Sequence, residues 1–139
     1  MASQLKVDTI TGVATAGSIA ITGEGNSTTT NLQQGLCKAW FNLNAIGTEA
    51  YRDTFNIGSV TDNATGDFSH NFTNAMNNSN HVAILGTNGT DNTTGVNSFA
   101  TYFDPTSTGT GFTRSQNISQ GGTPLDTGFV LGVVVGDLA

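Results

Sequence analysis

Cys37, His70 and His81 are the residues of this chain with the plainest chemical potential. A thiol becomes a nucleophile when a base stands beside it, so Cys37 with either histidine would form a thiol–imidazole pair. The stretch "CKAWFNLN" argues against that. Its alternation puts Cys37 on one side with Ala39, Phe41 and Leu43, where a small buried residue is the simpler reading. His70 and His81 flank a turn between two strands expected to pair, so their rings are expected to face each other. Two imidazoles alone make a poor metal site, although a three-fold axis would multiply them. No His-x-His pair occurs. "GTNGTDNTTG" has the glycine and Asp of a calcium loop but lacks the repeated acidic positions, and reads as an ordinary loop. The eight Asp and two Glu fall mostly in turns, where Asp serves local hydrogen bonding, and no pair stands out for glycoside chemistry. There is no phosphate loop and no dinucleotide fingerprint. The expectation is no catalytic residue, no cofactor and no metal.

Aromatic side chains offer another chemistry. Trp40, Tyr51 and Tyr102 are able to stack on sugar rings, with Asn, Thr and Gly loops supplying hydrogen bonds. Ordinary packing and subunit contact are the competing use. Lys38 lies on the Trp40 side of its strand, and a Trp in such a place either covers the sandwich edge or meets another subunit. Lys38, Trp40, Tyr51 and Tyr102 are therefore the candidates for a surface or subunit contact.

Composition narrows the partners. Charged residues make up 10% of the 139, with four Lys or Arg and a net charge of −6. Four scattered cations cannot neutralise a phosphate backbone or hold a polybasic patch on an anionic membrane. No apolar run is long enough to span a bilayer, and "MASQLKVDTI" lacks the apolar core of a signal peptide. A single cysteine excludes an internal disulfide. These points predict no nucleic acid, no membrane insertion and synthesis in a cytoplasm. Asn-x-Ser/Thr triplets are frequent, but Asn and Thr are abundant everywhere, so chance explains them.

The elements that must position these residues are strands. Glycine numbers 18 and proline 2, and good helix formers are scarce. Thr suits a pleated surface, and Asn, Gly and Asp suit turns. From Gly35 onward, "CKAWFNLN", "RDTFNIGSV", "DFSHNF", "HVAILG", "VNSFATYF", "GFTRSQNI" and "GFVLGVVVG" read as strands separated by turn-rich segments. Phe55 and Ile57 are expected to share a face with Asp53. "FVLGVVV" is apolar on both sides and predicts a central or interface strand. The fold expected for 35–139 is an antiparallel all-β sandwich, a jelly-roll-like knob. Residues 1–34 differ. Two β-like pieces, "LKVDTI" and "SIAIT", precede a polar run, and no aromatic occurs before Trp40. Leu5, Val7, Ile10, Ile19 and Ile21 are too few to make a core within one chain. This segment reads as an extended arm for attachment and oligomerisation.

The run from Lys38 to Phe72 resembles a segment of virion proteins of tailed bacteriophages, especially fibre and knob proteins of marine and cyanobacterial phages. The matching pieces are "KAWFNLNAIGT", "YRDTFNIGSVTDNATGDFSHNFTNAM" and the "HVAILG" strand. That family has a Lys-Ala-Trp strand, a second strand ending in an Asn/Gly turn, and a Gly-Asp-Tyr strand. This chain keeps Lys38, Ala39, Trp40, Asp53, Phe55, Asp62, Asn63, Gly66, Asp67, Asn71, Phe72, Ala75 and Met76. It departs at Phe68, where Tyr is usual, at His70, and at Asn77, where Pro is common. "LKVDTI" resembles the opening of other proteins of such phages.

The resemblance implies a β-sandwich knob, usually trimeric, on a virion, and supplies no catalytic residue. The expected function is a structural virion protein: a short homotrimeric fibre, knob or decoration attached to tail or capsid proteins by its arm. The alternative is a receptor-binding tip for a bacterial surface glycan. The arm spans at most about 110–120 Å fully extended, which favours a protein seated close to its attachment point.

Overall fold

The computed structural model describes residues 5–12, 19–22, 29–88, 100–103, 108–119 and 121–138, with the backbone alone at 33, 34, 88 and 100–103. The chain divides into two compact units, Met1–Leu36 and Cys37–Ala139.

In the first unit, β1 (Ala20–Thr22) pairs antiparallel with β2 (Thr29–Asn31), with Ile21 opposite Thr30. A single helical turn, Leu32–Gly35, follows, and the Leu32 N–H donates to the Ile19 carbonyl at 2.8 Å. "LKVDTI", expected as a β-like piece, forms no strand. Leu5, Val7, Ile10 and Ile21 are exposed, and Ile19 is half-buried.

The second unit is an antiparallel β-sandwich. One sheet has the order β4 (Ala50–Phe55), β3 (Cys37–Asn44), β10 (Phe129–Val135), β7 (Val82–Asn88). The other runs β5 (Ile57–Ala64), β6 (Asp67–Phe72), β9 (Phe112–Ile118), β8 (Ala100–Phe103). Among the described residues each sheet of the sandwich has four strands, and the consecutive pairs β3–β4 and β5–β6 each lie within one sheet. The first and last strands of the sandwich, β3 and β10, are neighbours, and β10 is central as its two-sided apolar pattern predicts.

The core lies between the sheets. Ala39, Phe41, Leu43, Val130 and Val134 come from the first sheet, and Ile57 and Phe68 from the second. Gly132 stands directly opposite Phe41. A Cβ on Gly132 would lie 2.3 Å from the Phe41 ring, so this glycine makes the room in which the ring lies.

"RDTFNIGSV" is not one strand. Asn56 has a positive φ of 56°, a left-handed conformation that Asn tolerates better than most residues. Its side chain secures the break: Nδ2 donates to the carbonyls of Lys38 and Asn74 at 3.0 and 3.1 Å, and Oδ1 accepts from the Asn74 N–H at 2.7 Å. The chain passes from one sheet to the other here. Phe55 therefore ends outside the first sheet while Ile57 enters the core, instead of sharing one face.

The two-residue β5–β6 connection ends at Gly66, φ 72°. A Cβ there would meet the Asn117 carbonyl at 2.5 Å, and its N–H donates to Asp126 Oδ1 at 2.7 Å. The left-handed backbone and this close approach both require glycine.

Candidate interaction face

The polar candidates of the sequence separate in space. A bulge where Val134 faces Ala39 and Val135 faces Cys37 leaves Lys38 as the extra residue of β3. The two-residue alternation breaks at that point. Cys37 thus emerges exposed, with its thiol donating to the Ala39 carbonyl at 3.1 Å, and does not join the core face. Lys38, a candidate for a surface or subunit contact, is only 4% exposed.

His70 and His81 do not lie across a strand pair, because β6 pairs with β5 and β9 while β7 pairs with β10. The His81 ring packs edge-on against Phe72 with centroids 5.4 Å apart. The His70 ring stacks on Phe41, centroids 3.7 Å apart and planes 17° from parallel. Its Nδ1 is 2.8 Å from the Tyr51 hydroxyl and its Nε2 is 2.8 Å from Ser115 Oγ. A neutral imidazole donates to one hydroxyl and accepts from the other. Burial pulls His70 down to about 3, and burial raises the Tyr51 phenol above its usual range. Ser115 beside His70 has the atoms of a nucleophile and its base, yet both residues are fully buried. The network ties Tyr51 of the first sheet to His70 and Ser115 of the second. Among the described residues, no three His, Cys, Asp or Glu side chains gather as metal ligands. Most of "GTNGTDNTTG" and the Tyr102 side chain lie outside the described residues.

Trp40 and Tyr51 occupy opposite faces of the first sheet. Tyr51 turns inward, edge-on to Phe41 at 6.2 Å. Trp40 pairs with Phe55 on one side and Val133 on the other, and Val133 pairs with Ile84. Directly paired residues share a face, so Phe55, Trp40, Val133 and Ile84 form one apolar row across all four strands. Leu131 and Val82 extend it, and all of these except the half-buried Trp40 are exposed. Arg52 and Asp53 border the row on β4. The Arg52 guanidinium sits 4.1 Å from the Phe129 ring centroid, and its Nη1 donates to the Gly128 carbonyl at 2.5 Å.

The outside of the second sheet is polar. Asn71 Nδ2 donates to Ser59 Oγ at 3.1 Å and Thr61 Oγ1 at 3.0 Å. Asn63 Nδ2 donates to Ser69 Oγ at 2.9 Å and Asp67 Oδ1 at 3.3 Å. Arg114 holds Asp67 in a two-pronged ion pair, with Nε to Oδ1 at 2.6 Å. Hydrogen bonding from Arg114 keeps the Asp67 carboxyl below the usual carboxylate range.

Sequence reasoning singled out Trp40 but missed Phe55, Val82, Ile84, Leu131 and Val133 as its companions. The signal for β10 was present in its two-sided apolar pattern; the signal for Phe55 was hidden by the break at Asn56.

Comparison with protein-family models, with curated proteins and with solved structures finds no match to this chain.

Proposed function

We propose that this protein is a structural component of a tailed-phage virion, a short homotrimeric fibre, knob or decoration held to the particle by its N-terminal arm. The observation that carries the reading is the open apolar outside of the β4–β3–β10–β7 sheet. A chain with so few charges keeps five large apolar side chains in water on one face, which is the mark of an assembly surface. The exposed Leu5, Val7, Ile10 and Ile21 of the first unit add a second apolar segment that needs a partner. The resemblance of Lys38–Phe72 to phage fibre and knob proteins gives the class of assembly.

The glycan-binding alternative calls for an aromatic platform. Trp40 and Tyr51 lie on opposite faces, and the Tyr51 hydroxyl is engaged with His70. The outward amides and hydroxyls of the second sheet bond largely to one another. This arrangement favours assembly over sugar binding.

Deleting residues 2–34 is expected to leave a soluble β knob that no longer joins particles. Incorporation of the truncated chain at normal copy number would overturn attachment through the arm. Copy number on purified particles then assigns the location: a few trimers for a tail, dozens or more for a head decoration.

A further inference from the structure

We infer that the outer face of the β4–β3–β10–β7 sheet is the self-association surface, with the β4 edge of one copy meeting the β7 edge of the next. The inference deepens the homotrimer reading above and rests on self-association proposed there.

The size of the face points to a second copy. Phe55, Val82, Ile84, Leu131 and Val133 are 51%, 56%, 68%, 41% and 41% exposed. Together these five present a few hundred Å² of apolar surface, within the range of about 300–600 Å² for the largest and often functional patch on a monomer. A specific interface of ~800 Å² per partner would also take in Trp40, Phe129 and the polar border. A row spanning four strands is broader than the groove in which a single helix docks.

Charge agrees. The chain carries a net −6, so two copies repel wherever acidic surfaces meet. Among the described residues, the exposed charged side chains on this face are Arg52 and Asp53, one of each sign. Approach through it brings no net like charge together. The composition, with Trp and Phe among the apolar residues and Arg beside them, is that of a subunit contact.

Three-fold closure selects the arrangement. Phe55 and Ile84 stand at opposite edges of the face, on β4 and β7. A two-fold stack would pair the face with itself and stop at two copies. A head-to-tail ring covers two different edges, each by the other.

Light scattering on the full chain across a concentration series tests this, together with Ile84→Lys and Phe55→Lys. The wild type is expected at about three times the 14.3 kDa chain mass, and each variant at the mass of one chain with unchanged circular dichroism. A Cys37→Ser background carrying Phe55→Cys and Ile84→Cys together is expected to give covalent dimers and closed rings under mild oxidation, while either cysteine alone gives none. Variants that keep the wild-type mass would overturn the face, as would covalent dimers from one cysteine alone. A wild type that stays monomeric up to on the order of 1 mM overturns it too. In that case, loss of particle incorporation by Ile84→Lys would reassign the face to another virion protein. The virion reading stands or falls separately, on whether the unaltered chain is found in purified particles.

Discussion

On the outside of β4–β3–β10–β7, large apolar side chains stand in water; on the outside of β5–β6–β9, Asn63, Asn71, Asp67 and Arg114 bond to neighbouring side chains. The inward faces reverse the contrast. The first sheet contributes Phe41, Leu43, Val130 and Val134, whereas the second mixes Phe68 with buried His70, Thr113, Ser115 and Asn117. The first sheet is thus apolar on both sides, like a layer with material above and below it. The second is built for water outside and for fixed polar contacts inside. Buried polar groups must find partners or incur a desolvation penalty, so His70 and Ser115 specify how the sheets register, while the open face of the first sheet specifies what the molecule meets.

Changes inside the first sheet should have the largest effect on stability. Phe41→Ala removes the ring that fills the space over Gly132 and stacks on His70, and is expected to lower stability by about 3–5 kcal/mol, read as a shift of the urea midpoint.

Acid tests the polar interior of the second sheet. His70 is pulled down to about 3 in the folded chain, against about 6.5 unfolded. Between those values the unfolded chain binds the extra proton, so stability is full above about pH 6.5 and falls as pH drops toward 3. The expected loss is about 2–3 kcal/mol between pH 6.5 and 4.5, at up to ~1.4 kcal/mol per pH unit. His81, also lowered by burial, acts in the same direction. Asp67, lowered by Arg114, contributes above the carboxylate range and loses that contribution only below about pH 4. His70→Gln retains a donor and an acceptor but does not titrate, so its urea midpoint should fall less steeply over pH 6.5–4.5, leaving the contribution of His81. An unchanged slope would place the acid sensitivity elsewhere.

Gly132→Ala sharpens the reading of the first sheet's inner side. The added methyl must displace Phe41, and overpacking of this kind costs about 1–3 kcal/mol, measured by thermal unfolding at neutral pH.

The smallest effects belong to the two outward faces, and there the comparison is most direct. Asn71→Ala breaks the bonds to Ser59 and Thr61 and should lower stability by no more than about 1 kcal/mol. Val82→Ser should change the stability of dilute protein by less than about 0.5 kcal/mol. Of the two, only Val82→Ser should reduce association measured by sedimentation at high concentration. Equal loss of association by both variants would erase the distinction between the faces.

Period-2 alternation within single strands was legible without a structure. β3 and β6 match "CKAWFNLN" and "DFSHNF" residue for residue, and β10 is central, because alternation and apolar content are local properties of a chain. The all-β sandwich follows from these strands and the turn-rich segments between them. Three features were settled only in three dimensions. The bulge at Lys38 buries a lysine and exposes Cys37, because it depends on how β10 pairs with β3. The left-handed Asn56 sends Phe55 out and Ile57 in, because its side chain is held by Lys38 and Asn74, both 18 residues away in sequence. His70 lies between Tyr51 and Ser115, drawn from strands of two sheets, so no spacing in the sequence announces it. Alternation tells which residues share a side of one strand; only the pairing of distant strands decides which sides meet each other and which are left facing water.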